Sequence, residues 1–226
     1  MQSKVDAEWL DPIFFADDAR TLASPYEDVD ILLLSCYIWN WEKNLEIARI
    51  IKEKNPDCYI IAGGPQVTDI PEYNICDKIW KFESEEAIDD ILLKRKASQD
   101  RVDLSKLHSP YKIYLDEYKH FADRIRNRKA KVSAIWETNR GCPYKCTFCD
   151  WGSLTNSKIR RFDPDVVSDD IQAISDIRVD LVFNADANFG IFPIDLDYTK
   201  QMAALKRKTG YPKTMFFSSA KNKKDI

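Results

Sequence analysis

Apolar residues fall into short continuous runs that alternate with stretches of helical periodicity. Ile31-Leu32-Leu33-Leu34-Ser35 is such a run, the pattern of a strand buried on both faces of a parallel sheet. Beyond Asn40, the residues Leu45, Ile47, Ala48 and Ile51 recur at helical spacing, with Asn40 as N-cap, Glu42 in the first turn and Asn55-Pro56 as the stop. Cys58 to Ala62 predicts a second strand, broken by Gly63-Gly64-Pro65, and Lys78 to Phe82 predicts a third. A helix from Glu85 to about Lys94 follows, with Ser84 as cap and Ile88, Ile91 and Leu92 as its buried stripe. Short connections between these elements predict a doubly wound α/β domain over residues 1–96, with only a short helix or loop before Asp30.

Residues 97–130 predict a linker followed by a bridging helix over 111–127, whose apolar positions are Tyr114, Tyr118, Phe121 and Ile125. A second strand-helix series occupies 131–226. Val132 to Thr138, Asp180 to Phe183 and Thr214 to Ser218 predict strands. Asp163-Pro164 opens a helix that buries Val167, Ile171 and Ile174, and Asp195 to Lys208 forms another, closed by Gly210 with Pro212 beyond. No fixed-period repeat interrupts the series.

Composition narrows the function classes. With 44% hydrophobic and 31% charged residues the chain can bury a core and is not compositionally disordered. A formal charge of −3 is too balanced for nucleic-acid or anionic-membrane binding through global charge. The apolar stretch from Ile31 to Trp39 is far shorter than the ~20 residues a membrane span requires. Met1 to Trp9 has no apolar core of a signal peptide, which makes a reducing cytoplasm the expected compartment. There, cysteines point to metal or redox chemistry rather than disulfides. Cys36, Cys58 and Cys76 stand singly in apolar surroundings and read as packing thiols.

The chemical signal is Gly141-Cys142-Pro143-Tyr144-Lys145-Cys146-Thr147-Phe148-Cys149, three thiols spaced four and three apart immediately after a predicted strand. A structural zinc or an electron-transfer cluster normally takes four protein ligands, and no fourth Cys or nearby His follows. A [4Fe–4S] cluster on three thiolates keeps one iron open for a small molecule. The bland alternative is a zinc knuckle completed by a distant ligand such as His120.

Cys-x3-Cys-x2-Cys with an aromatic before the last Cys resembles the radical S-adenosylmethionine (SAM) superfamily. Glu137-Thr138-Asn139-Arg140-Gly141, Cys149-Asp150-Trp151-Gly152-Ser153 and Asp186-Ala187-Asn188-Phe189-Gly190 resemble its cobalamin-binding branch. Ser35-Cys36-Tyr37-Ile38-Trp39-Asn40 and Gly63-Gly64-Pro65 are similar to the B12-binding segment of that branch. The resemblance implies a B12-binding-like doubly wound domain followed by a partial radical SAM (β/α) barrel. It implies that Cys142, Cys146 and Cys149 bind the [4Fe–4S] cluster, that Phe148, Asp186 and Asn188 bind SAM, and that Ser35, Tyr37, Trp39, Gly63 and Gly64 meet cobalamin. Asp-x-His-x-x-Gly is absent, so the resemblance implies no histidine ligand to cobalt, and Glu83-Ser84-Glu85-Glu86 stands where Gly-Glu-Gly-Glu is frequent.

The expected activity is generation of a 5′-deoxyadenosyl radical and cobalamin-dependent methyl transfer or related radical chemistry. The partners would be a small-molecule or peptide substrate, a reductant such as flavodoxin or ferredoxin, and a second chain if the barrel is completed in trans, with no membrane partner. Two alternatives stand beside it: a radical SAM enzyme without cobalamin acting on tRNA or peptide, and a non-catalytic iron–sulfur or zinc module. Gly63-Gly64-Pro65 also reads as a plain turn, and Trp39 and Trp41 as core or interface aromatics. Lys221, Lys223 and Lys224 read as a solvated tail, and His108 and His120 carry no catalytic role.

Overall fold

In the computed structural model, residues 6–13, 17–68, 71–81, 83–85, 87–95, 102–144, 146–147, 149 and 158–220 are described. The chain divides into two compact units, Met1–Val102 and Asp103–Ile226.

The first unit contains α1 (Ala19–Ala23), β1 (Ile31–Ser35), α2 (Trp41–Lys54), β2 (Tyr59–Gly63), β3 (Lys78–Trp80) and α3 (Ile88–Leu92). Its strands are parallel in the order β1-β2-β3, with Ile31 opposite Tyr59 and Ile61 opposite Lys78. The period of two along β2 feeds two cores. Ile60 and Ala62 pack with Leu34, Leu45, Ala48 and Ile51, whereas Ile61 packs with Trp80, Ala87 and Ile91. Apolar layers thus cover both faces of β2, as in a doubly wound sheet.

Three local expectations are corrected. β1 is buried on one face only: Leu34 turns into the α2 core, while Leu33 is 40% exposed and borders a cavity of about 860 Å³. Among the described residues it has a strand neighbour on one side alone. Asn40 does not cap α2, because its side chain accepts from the Tyr37 N–H and donates to the Ser35 carbonyl. The third helix spans only Ile88–Leu92, starts at Ala87 without a side-chain cap, and is followed by Lys94 at φ 55°.

The second unit contains α4 (Pro110–Ile113), α5 (Leu115–Asn127), β4 (Ser133–Trp136), β5 (Asn139–Arg140), β6 (Arg160–Arg161), α6 (Pro164–Ile177), β7 (Leu181–Asn184), α7 (Ile194–Thr209) and β8 (Thr214–Phe216). The expected bridging helix is divided in two, and Tyr111, Leu115, Tyr118 and Ala122 pack into this unit's core. Asp163 caps α6 by accepting from the Asp165 N–H, with Pro164 in the first turn, and Gly210 at φ 82° closes α7.

The parallel sheet runs β4-β7-β8 in sequence order. Ala134, Trp136 and Val182 pack with Val167, Ile171, Ile174, Tyr198 and Met202 from the helices. On the opposite face Ile135, Phe183 and Phe216 form one cross-strand row, exposed by 67%, 44% and 57%, with the two phenyl rings stacked. Sequential strand order with helices on one face is the wall of a (β/α) barrel. Among the described residues no helix is long and apolar enough to cross a membrane.

Asp170 on α6 is buried and accepts from the Ser109 hydroxyl, which in turn accepts from the Lys112 N–H and so caps α4. Burial pushes the Asp170 carboxyl up to about 6, opposed by the Ser109 bond and reinforced by Asp169. Between an unfolded carboxyl near 4 and this raised value, the folded state holds a proton that the unfolded state has released. The contribution to stability therefore falls as pH rises through this window. Asp170→Asn keeps an acceptor for Ser109 and removes the buried charge. In denaturant titrations its stability relative to the parent should rise by about 1 kcal/mol from about pH 5 to about pH 8. A difference independent of pH would contradict the assignment.

Candidate functional site

The second unit roots a cysteine loop at the C-terminal end of β4. β5 pairs antiparallel with β6, Asn139 opposite Arg161 and Arg140 opposite Arg160, so a two-stranded ribbon closes the base of segment 141–159. Arg140 is paired with Glu137 at 2.8 Å and lies over the Phe162 ring, while Arg161 lies over Phe192. Gly141, at φ 114°, makes the turn into Cys142, a conformation that L side chains rarely adopt.

Under this root lies Asp186, 2% exposed. Oδ1 accepts from the backbone N–H groups of Thr138 and Asn139, and Oδ2 from the Thr138 hydroxyl and the Asn139 amide. Those four bonds fill the lone-pair capacity of a carboxylate. Asp186 thus ties the end of β7 to the start of the cysteine loop. Burial pushes its pKa above the usual carboxylate value, and the Thr138 and Asn139 donors oppose the rise.

Cys142 is buried, and Cys146 and Cys149 are half-buried and linked by a Cys149 N–H to Cys146 carbonyl bond of 3.1 Å. The buried Asn188 side chain donates from Nδ2 to Cys142 Sγ at 3.2 Å. Phe148 lies outside the described residues. Among the described residues no three Cys, His, Asp or Glu side chains converge as a site for one metal ion. The three thiols fit a cubane cluster, which spreads its thiolates over separate irons.

In the first unit, the segment after β1 is held from beneath. Asn40 and Asn44 both donate to the Ser35 carbonyl, at 2.9 and 3.0 Å, and Asn44 also reaches Cys36 Sγ. Above them Tyr37 and Trp39 stack at 4.7 Å with planes 12° apart, and Ile38 and Trp39 are 76% and 77% exposed. The pair forms a flat apolar surface beside the strand ends. Gly64, at φ 108°, has a different reason to be glycine: a Cβ there would lie 2.5 Å from the Cys36 carbonyl oxygen and 2.9 Å from its nitrogen. At Gly63 the nearest atom would be the Trp80 carbonyl oxygen at 3.4 Å. Burial raises the pKa of Cys36, Cys58 and Cys76, the last to about 11, so these thiols stay protonated at neutral pH.

No family model matches the chain. It is 33% identical to the 2-(S-pantetheinyl)-carbapenam-3-carboxylate methyltransferase of Streptantibioticus cattleyicolor and 30% identical to the cobalamin-dependent radical SAM methyltransferase TokK of Streptomyces tokunonensis. Each alignment covers 96% of this chain and 36% of the relative, so the chain spans about a third of their length. The chain is a relative of the cobalamin-dependent radical SAM methyltransferases. Its fold agrees with this family: the cobalamin-dependent SAM radical enzyme OxsB superposes with a TM-score of 0.61 at 18% identity, covering 89% of this chain and 32% of OxsB. TsrM from Kitasatospora setae, solved with cobalamin and a [4Fe–4S] cluster bound, gives 0.56 at 13% identity, over 87% of this chain and 45% of TsrM.

Within this family's sequence pattern, Thr138 and Asn139 were visible only as flanks of the cysteine motif. Their bonds to Asp186 span 47 or 48 residues and have no local signature. The β5-β6 ribbon likewise joins residues about twenty apart across the motif.

Gly64→Ala should destabilise the first unit by at least about 2 kcal/mol, since backbone collision adds to the cost of a positive φ. Gly63→Ala should cost less than about 1 kcal/mol. Urea denaturation of the two variants compares them directly, and equal effects would refute the close-approach explanation.

Proposed function

We propose that this chain supplies the cobalamin-binding and cluster-binding parts of a radical SAM methyltransferase acting on a small molecule. The observation that carries the reading is the Cys142-Cys146-Cys149 loop, rooted by Asp186 at the end of a parallel barrel strand and carrying one fewer thiol than a closed four-ligand site needs. When bound, the cluster and SAM supply a 5′-deoxyadenosyl radical, and cobalamin supplies the methyl group.

The residues of the chain bind, orient and exclude water. Cys142, Cys146 and Cys149 would hold the cluster, Phe148 would lie against SAM, and Asp186 would keep the loop in register from below. Ser35, Tyr37, Trp39 and Gly63 would frame the corrin, with Gly64 fixing the shape of that segment. A relative named for methyl transfer to a carbapenam carboxylate supports a small-molecule acceptor. A flavodoxin or ferredoxin would be a suitable electron donor.

The open row of Ile135, Phe183 and Phe216 supports a further requirement. A parallel sheet is ordinarily covered on both faces, and an organic radical needs a dry cavity. Productive turnover would need further polypeptide over this face, whether from the same chain or another.

In anaerobically reconstituted protein, Cys142→Ala, Cys146→Ala and Cys149→Ala should each abolish the iron–sulfur absorbance and SAM cleavage. Stoichiometric zinc without sulfide in the parent protein would overturn the cluster reading. Hydroxocobalamin should bind the parent, and Trp39→Ala should weaken it by about tenfold, the scale of one lost stacking contact. No binding by the parent would withdraw methyl transfer and leave the radical SAM reading standing.

A further inference from the structure

The resemblance implies SAM contact for Asn188, and in the structure its side chain reaches a cysteine sulfur. Asn188 is 3% exposed, and its Nδ2 lies 3.2 Å from Cys142 Sγ, itself 7% exposed. The segment that carries it is pinned on both sides. The Ile191 N–H donates to the Asn188 carbonyl, the Phe189 N–H donates to the Ser218 carbonyl, and the Ala220 N–H donates to the Phe189 carbonyl. The amide is therefore delivered to the sulfur by an ordered backbone.

A neutral thiol is a poor acceptor, whereas a thiolate accepts strongly. A buried donor facing sulfur thus matches a metal-bound thiolate better than a free thiol. Hydrogen bonds to cluster sulfurs are among the features that set reduction potential, because a donor stabilises the form with more negative charge.

We propose that Asn188 is a positioning residue that hydrogen-bonds the Cys142 thiolate and raises the reduction potential of the bound cluster, rather than a SAM ligand. This rests on the reading that Cys142 ligates iron. Reduction here is addition of one electron to the oxidised [4Fe–4S] core, supplied by dithionite, which is oxidised to sulfite. No bond at Cys142 forms or breaks.

The test is an EPR-monitored dithionite titration of anaerobic, cluster-loaded protein without SAM, comparing the parent with Asn188→Leu and Asn188→Asp. Leucine removes the donor at similar volume, and aspartate replaces it with an acceptor. With iron and sulfide content intact, the Leu variant should be about tenfold harder to reduce, a shift of about 59 mV to more negative potential, and the Asp variant should move at least as far. SAM affinity of the Leu variant should be unchanged. An unmoved potential with an intact cluster, or weakened SAM binding at an unmoved potential, would overturn the proposal.

If neither variant assembles a cluster, the parent decides. With 15N-labelled asparagine, the reduced cluster should show a 15N hyperfine coupling in pulsed EPR, and its absence would overturn the proposal. Zinc in place of iron and sulfide in the parent would instead overturn the cluster reading itself.

Discussion

The second unit depends on one buried carboxylate. Asp186 accepts four hydrogen bonds from Thr138 and Asn139, and these join the end of β7 to the residues where β4 becomes the cysteine loop. A carboxylate buried this deeply is expensive unless every lone pair is used. Here each is used, so the carboxylate and its four donors must occupy their places together. The start of the cysteine loop is thereby fixed to the sheet rather than left to the loop's own preferences. The β5-β6 ribbon and the Arg140–Glu137 pair then close its base.

The first unit shows the same division between support and surface. Asn40 and Asn44 spend their amides on the Ser35 carbonyl, and Gly64 lets the chain after β2 approach the Cys36 backbone where any side chain would collide. Those contacts leave Tyr37 and Trp39 stacked and exposed. A rigid aromatic pair costs little entropy when something flat settles on it, because its conformation is already set. The polar and glycine positions of this segment therefore serve its shape, and the aromatics serve its outer face.

The two groups of cysteines differ by environment. Cys36, Cys58 and Cys76 lie in or against the first unit's core, where burial raises their pKa and suppresses the thiolate. Cys142 faces an amide donor, and Cys146 and Cys149 are half-buried in the loop.

By itself the sequence determined the local elements and the chemical class. Continuous apolar runs marked β1, β2 and β7, and Asp163-Pro164 and Gly210 marked the ends of α6 and α7, because strand burial, capping and left-handed termination are properties of neighbouring residues. The three-thiol spacing marked the candidate site for the same reason. Legibility ended where contacts join distant residues. Leu33 reads as buried until the structure leaves its face of β1 uncovered, Asn40 reads as a helix cap until its amide is claimed by the Ser35 carbonyl, and the close approach of Gly64 to the Cys36 backbone has no sign in the sequence. Asp186 and Asn188 read alike as ligand contacts just beyond a strand end. Only the tertiary structure gives one to Thr138 and Asn139 and the other to the Cys142 sulfur, because hydrogen-bond partners nearly fifty residues away leave no periodicity in the chain.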